Sequence, residues 1–166
     1  MYTYYFSFIK VEENNGILDC CEHSGLGVFR DANAICNGCF AENIPDCYTA
    51  FTAKLYGVMI AIEIADRKNW RFLWLETDSQ LVVLALKDAR MVPWNIRNRW
   101  SDCLDIISNM NFLACHMYRE GNTYADGLAT LGLALSSQVW FPSIPDYIST
   151  HYVRNRLGLP NYRFIF

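Results

Sequence analysis

The stretch that decides the fold is Trp70-Arg71-Phe72-Leu73-Trp74-Leu75-Glu76-Thr77-Asp78-Ser79, a short aromatic run that ends in a carboxylate. Its length and its polar boundaries are typical of a buried strand. The segment before it, 51–66, is predicted to be a helix with Thr49 or Thr52 as its cap. The apolar residues that give the helical spacing are Leu55, Val58, Met59 and Ile62. A helix leading into a buried strand indicates an α/β domain with Asp78 at the end of that strand.

Outward from this stretch, period-two and helical patterns alternate along the chain. The predicted strands are 4–11, 26–30, 35–41, 70–76 and 112–118. The predicted helices are 51–66, 79–89, 94–109 and 122–135, the third of them beginning after Pro93. Tight turns join the first three strands, whereas the later strand-helix-strand steps need parallel crossovers. The sequence therefore predicts a five-stranded mixed sheet, its first three strands antiparallel, with helices on its faces.

The composition bounds the class of protein. With 166 residues, 52% hydrophobic and 19% charged, the chain is expected to form one globular unit, which excludes disordered and collagen-like chains. We predict an aromatic extension at 136–166, which holds three of the five prolines and packs on or beside a domain at 1–135. The net charge of −3 gives no global attraction for nucleic acid, so a site for it must be local.

The cysteines and the N-terminus predict a compartment. Seven cysteines without a glycosylation sequon or a secretory leader favour a reducing intracellular location, nucleus or cytoplasm. No apolar run approaches the roughly 18 residues of a membrane helix, so no membrane association is expected. The single pair Cys36-Asn37-Gly38-Cys39 falls in a predicted strand, where residues three apart point to opposite faces, so we do not expect zinc there.

Three motifs, together with the order of elements, carry a family resemblance. They are Glu76-Thr77-Asp78-Ser79, then Val92-Pro93-Trp94 with Arg97-Asn98-Arg99-Trp100, and the run from Arg119 to Ala129 that contains Asn122 and Asp126. Over residues 8–135 the chain resembles the RNase H-like domain of plant non-LTR retroelement proteins, of the RNase H type 1 family. The resemblance implies a retrotransposon-derived RNase H-like fold in which four carboxylates hold two Mg²⁺ or Mn²⁺ ions and cleave the RNA strand of an RNA/DNA hybrid.

The resemblance assigns roles residue by residue. Asp78 and Asp126 match two of the catalytic, metal-binding carboxylates. His116 stands at the position of the proton-shuttling histidine, ten residues before Asp126. Asn122 matches the asparagine that touches the hybrid. Two hard cations held by oxygen ligands suit this chemistry, because a phosphodiester needs charge neutralisation and an activated water.

The two other carboxylate positions are degenerate. The family's helix motif, Ala-Glu-Leu followed by an aromatic residue, is here Ala53-Lys54-Leu55-Tyr56, so a cation replaces an anionic ligand. The family's first Asp aligns with Asn14, or with Asn15 after a shift of one residue. We expect Lys54 to expel at least one metal ion and to form an ion pair with Asp78 and Asp126 instead.

A basic, tryptophan-bearing segment follows the second helix. Trp94, Arg97 and Arg99 match the segment with which the family grips the duplex, so they are predicted to bind nucleic acid. The alternative is a solvated helix face with buried tryptophans, because acidic residues dilute the positive charge of the segment.

Three functions remain open. The first is a catalytically impaired RNase H-like domain, a pseudoenzyme that retains binding to an RNA/DNA hybrid or RNA. The second is an active, Mg²⁺-dependent hybrid endoribonuclease in which Glu12 or Asp19 replaces a missing carboxylate. The third is a protein-interaction module built on the aromatic extension. The sequence leaves the oligomeric state open.

Overall fold

A six-stranded mixed sheet with helices forms the fold. The computed structural model describes residues 4–7, 23–33, 35–44, 49–117, 137–146, 149–150 and 152–153. The strands are β1 Tyr4–Ser7, β2 His23–Arg30, β3 Cys36–Ile44, β4 Phe72–Thr77, β5 Asn111–His116 and β6 Val139–Phe141. The helices are α1 Ala50–Arg67, α2 Gln80–Lys87 and α3 Arg97–Ser108, with 3₁₀ turns at Ala89–Met91 and Trp94–Ile96.

The strand order is β5-β4-β1-β2-β3-β6. β1 pairs antiparallel with β2, and β2 pairs antiparallel with β3. β4 runs parallel to β1, and β5 runs parallel to β4. The predicted α/β fold with a mixed sheet and an antiparallel first half is confirmed. The predicted helix at 122–135 lies outside the described residues.

The predicted count of five strands is corrected by β6. Residues 139–141, which we assigned to an irregular extension, pair antiparallel with β3 through Phe40 and Trp140. A strand of three residues is too short to show a period, and the edge of β3 supplies its hydrogen-bonding partners. The sheet therefore ends at β6, and the division of the chain at residue 135 stays a prediction.

Helix α1 forms as the sequence predicts, with one more residue at each end. Thr49 is its N-cap, because its hydroxyl Oγ1 accepts a 3.2 Å hydrogen bond from the backbone N–H of Thr52. The helix ends in a left-handed turn at Asn69, φ 56°, which directs the chain into β4. No helix in the described part of the chain is both long enough and apolar enough to cross a membrane.

The main core lies between α1, α3 and one face of the sheet. It contains Phe29 and Phe40 from the antiparallel strands, Leu75 from β4 and Trp100 from α3, each at most 1% exposed. A smaller cluster on the other face joins Val28, Cys39 and Tyr152, with partly buried residues around it. The second cluster therefore covers part of the other face, at strands β2 and β3.

A β-bulge in β3 overturns one prediction about the cysteine pair. Phe29 pairs with Gly38 but Arg30 pairs with Cys36, which leaves Asn37 as an extra residue in the strand. The extra residue shifts the alternation by one, so Cys36 and Cys39 lie on the same face of the sheet. The expectation that they point to opposite faces is wrong, because it assumed an unbroken period of two.

Candidate active site

The ends of two parallel strands build the candidate active site. Thr77 at the end of β4 pairs with His116 at the end of β5, and the N–H of Met117 donates to the carbonyl of Thr77 at 2.8 Å. Asp78 therefore leaves the sheet next to His116. Ligand sites of such sheets lie at the carboxyl ends of the parallel strands, where polar groups from several elements converge.

An ion pair between α1 and the end of β4 occupies this edge. The ammonium Nζ of Lys54 donates to the carboxylate Oδ1 of Asp78 at 2.8 Å. The Asp78 side chain is 2% exposed and the Lys54 side chain is 11% exposed. The Asp78 half of the expected ion pair is confirmed, whereas Asp126 lies outside the described residues.

His116 contacts the backbone of Asp78. Its Nε2 lies 3.2 Å from the carbonyl oxygen of Asp78, and the tautomer with hydrogen on Nε2 donates to that oxygen. The residue as a whole is exposed. The structure thus brings together three predicted site residues: Lys54, Asp78 and His116.

Asp78 lies just before helix α2 but is not its N-cap. The N-cap of α2 is Ser79, and the N–H of Ser79 donates to Thr77 Oγ1 at 3.2 Å. The carboxylate of Asp78 instead meets Lys54. A buried carboxylate of this kind needs a charged partner to offset its lost hydration, and Lys54 supplies it.

The described donor set does not fit two divalent metal ions. Asp78 binds an ammonium group, and Glu76 of β4 binds the guanidinium of Arg30 at 2.6 Å. Within the described ranges, no three His, Cys, Asp or Glu side chains are grouped to hold a metal ion. Asn14 and Asn15 lie outside those ranges, as do Glu12 and Asp19.

The predicted nucleic-acid segment divides into exposed and engaged residues. Trp94 is 84% exposed, and Arg97 is exposed with its Nη2 donating to the carbonyl of Val92 at 2.9 Å. Trp100, in contrast, is a core residue at 1% exposure. The alternative of buried tryptophans is therefore right for Trp100 and wrong for Trp94. Asn122 lies outside the described residues.

Arg99 is bound by a residue that the sequence analysis missed. Its Nε and Nη2 donate to the two carboxylate oxygens of Glu63 on α1 at 2.7 and 2.8 Å, and its guanidinium lies 5.4 Å from the ring centroid of Tyr56. The hydrogen bonds to Glu63 raise the pKa of Arg99. No local signal predicts this pair, because 36 residues separate its members.

Comparisons with known proteins agree with this architecture. Residues 21–132 match the model of a family described as reverse transcriptase-like. A protein of Arabidopsis thaliana, provisionally named a ribonuclease H protein, is 32% identical over 141 residues, which cover 81% of this chain. The chain spans only 22% of the length of that relative.

Solved structures share the fold at low sequence identity. RNase H1 from Halobacterium salinarum is 19% identical with a TM-score of 0.63, covering 80% of this chain and 97% of that one. LC11-RNase H1 in complex with an RNA/DNA hybrid is 14% identical with a TM-score of 0.65, with the same coverage of both chains. At these identities the likeness concerns the arrangement of helices and strands.

Proposed function

Because this chain belongs to the reverse transcriptase-like family and has an RNase H-like fold, we propose that it is a retroelement-derived domain that has lost efficient metal-dependent cleavage. The ion pair of Lys54 with Asp78 is the observation that carries the proposal. It occupies a carboxylate that the family uses as a metal ligand. The domain keeps the scaffold of a nuclease while an ammonium group substitutes for the metal.

Electrostatics supports the loss of metal. At 4 Å and an effective dielectric near 20, each pair of unit charges interacts by about 4 kcal/mol. A divalent cation bound to Asp78 would lie close to the ammonium of Lys54, which is 2.8 Å from Oδ1. Because the cation carries two charges, its repulsion would exceed the energy of one such pair of unit charges. The site gains an ordered cation without gaining a Lewis acid or an activated water.

We propose that the domain retains contact with an RNA/DNA hybrid or RNA. Trp94 offers an exposed ring for stacking, and Arg97, which is also exposed, offers a guanidinium for a phosphate. Among the solved structures of similar fold, LC11-RNase H1 is described in complex with a hybrid. Arg99 contributes less, since Glu63 already engages its Nε and Nη2 donors.

The first experiment is single-turnover cleavage of a labelled RNA/DNA hybrid in Mg²⁺ and in Mn²⁺. Asp78→Asn is the control for a contaminating nuclease, because it removes a carboxylate that a genuine activity would need. We expect no cleavage by either protein. Cleavage that disappears in Asp78→Asn would overturn the proposal and favour the active enzyme completed by Glu12 or Asp19.

A gain of function tests the same proposal from the other side. The double variant Lys54→Glu with Asn14→Asp restores both missing carboxylates and is expected to bind Mg²⁺ in isothermal calorimetry. Lys54→Gln is the matched control, because it removes the cation and adds no anion. A folded double variant that binds no Mg²⁺ would contradict the role given to Lys54.

Retained binding is tested by the salt dependence of a hybrid gel-shift assay. Each lost phosphate contact reduces the slope of log affinity against log salt by about one, so Arg97→Ala should flatten the slope and Trp94→Ala should lower affinity at every salt concentration. Arg90→Ala is the control, because Asp88 already pairs with Arg90. Absence of any shift would favour the protein-interaction module.

A further inference from the structure

The cysteine pair on β3 is a chemical feature that the proposed function does not use. The bulge at Asn37 places Cys36 and Cys39 on one face of the sheet. They belong to the small cluster around Val28 and Tyr152, in which Cys39 is fully buried and Cys36 is partly exposed. Cys36 is therefore the more accessible of the two residues.

Hydrogen bonds make the two thiols unequal. The N–H of Gly38 donates to Cys36 Sγ at 3.2 Å. The thiol of Cys39 donates to the carbonyl of Ser143 at 3.7 Å. The interaction of the two sulfurs, with backbone N–H groups, lowers the pKa of Cys36, while the same interaction and burial raise the pKa of Cys39.

We propose that Cys36 and Cys39 form a redox-active dithiol that exchanges with low-molecular-weight disulfides of the glutathione class. Cys36 is the attacking thiolate, because the N–H of Gly38 donates to its sulfur and because it is the more accessible of the two. Cys39 is the resolving thiol, held next to Cys36 by the bulge. The site lies on β3, away from Lys54 and Asp78.

The reaction balances in two steps. The thiolate of Cys36 attacks one sulfur of the small disulfide, forms a mixed disulfide and releases one small thiolate. The sulfur of Cys39 then attacks Cys36 Sγ, which breaks the mixed disulfide, and the second small thiolate leaves with the proton of Cys39. The pair loses two electrons and two protons as the Cys36–Cys39 disulfide forms, and the small disulfide becomes two thiols.

The geometry favours this chemistry over a metal site. A tetrahedral zinc ion needs four ligands with deprotonated sulfur, and in the part of the chain that the structure describes no third His, Cys, Asp or Glu joins the pair. Cys39 also keeps its proton, because the carbonyl of Ser143 accepts it and because the interaction with Cys36 and burial raise the pKa of this thiol. A dithiol with one thiolate and one thiol is the form that exchanges with disulfides.

The test uses the whole chain and oxidised glutathione as the probe. After incubation, free thiols are alkylated and the peptide that carries Cys36 and Cys39 is identified by mass spectrometry. We expect this peptide to be lighter by two hydrogen atoms, with no glutathione attached. Cys103 is the internal control, because burial raises the pKa of its thiol to about 12 and should keep it reduced.

Two variants separate the roles. Cys39→Ser should trap glutathione on Cys36, and Cys36→Ser should slow the reaction at Cys39 by at least about tenfold. If circular dichroism shows that Cys39→Ser does not fold, Cys39→Ala replaces it in the same experiment. Wild-type protein that keeps both thiols in excess disulfide, or that accumulates a stable adduct on Cys36, would overturn the proposal. Zn²⁺ that binds the pair and blocks exchange would overturn it as well.

Discussion

Lys54 is the residue on which the chemistry of the candidate site depends. A carboxylate at its position would leave Asp78 beside a second anion, and two close carboxylates need a bound cation or a shared proton to offset their repulsion. The ammonium of Lys54, 2.8 Å from Asp78 Oδ1, is a cation that belongs to the chain itself. Both side chains are nearly buried, so each charge has lost most of its hydration. The attraction between the two charges offsets that loss.

A double-mutant cycle measures this dependence. Lys54→Met should lower the free energy of unfolding by about 3–5 kcal/mol, because it leaves the buried charge of Asp78 uncompensated. Asp78→Asn alone should also destabilise the protein. The double variant should be more stable than the sum of the two losses predicts, by at least about 1 kcal/mol. Urea denaturation checks this, and strictly additive losses would show that the pair is not coupled.

The sequence predicts the pair of Lys54 with Asp78 but does not predict the pair of Arg99 with Glu63. Lys54 was recognisable because it interrupts a family motif whose other members are present, and charge complementarity then pointed to Asp78. Glu63 belongs to no motif, and its contact with Arg99 exists only because α1 and α3 pack side by side. Pairs made by tertiary packing have no signature in a single sequence.

At the scale of elements, the bulge in β3 depends on one glycine. Gly38 has a φ of +133°, which residues with a side chain rarely adopt, and it lies against the ring of Trp140. A Cβ at this position would stand 2.0 Å from Trp140 Cζ2. The backbone of the bulge and the packing of β6 thus require the same residue.

Gly38→Ala is expected to lower the free energy of unfolding by at least about 2 kcal/mol, from backbone strain and overpacking together. In a Trp140→Ala background the same substitution should cost less, because only the strain of the positive φ remains. Thermal unfolding of the four proteins checks this. An equal cost in both backgrounds would mean that the ring of Trp140 does not limit the space at Gly38.

A second element, the 3₁₀ turn after α2, predicts a pH dependence. Hydrogen bonds from the Arg90 side chain and N–H lower the pKa of Asp88 to about 2. An unfolded Asp titrates at about 3.9, so the stabilisation by this carboxylate is complete above about pH 4 and is lost as the pH falls towards about 2. Asp88→Asn should abolish that part of the acid sensitivity.

Carboxyl NMR titration provides the measurement for Asp88. The pair with Arg90 is exposed, so salt should screen it and move the pKa of Asp88 back towards its ordinary value. A pKa that stays near 3.9 at low salt would contradict the pairing. Lys87→Ala, in the neighbouring turn of α2, is the control for a nonspecific change of charge.

The elements themselves were predictable to different degrees. α1 was placed within one residue at each end, because an apolar stripe and a threonine cap act together and locally. The face of Cys36 was not predictable, because the bulge at Asn37 arises from pairing with β2. β6 was missed for the same reason: its three residues gain their strand conformation from β3.

At the scale of the whole molecule, the strand order separates two regions. The candidate site lies where β4 and β5 end, near one edge of the sheet. β6 is the strand at the opposite edge, next to β3. The ring centroid of Trp140 on β6 is 5.9 Å from that of Phe29 and 4.4 Å from Lys68 Nζ, so β6 is attached to the main core as well as to β3.

This separation predicts that the two regions contribute independently to stability. Trp140→Ala should lower the free energy of unfolding by about 2–4 kcal/mol. This is slightly less than for a fully buried aromatic residue, because Trp140 is only partly buried. Since Trp140 lies on the terminal strand β6 and Lys54 pairs with Asp78 at the end of β4, the cost of Trp140→Ala and that of Lys54→Met should add to within about 0.5 kcal/mol. Urea denaturation of the single and double variants measures the sum. A coupling above about 1 kcal/mol would mean that the edge strand and the candidate site respond to one another through the core, and that variants of β6 would alter hybrid binding as well as stability.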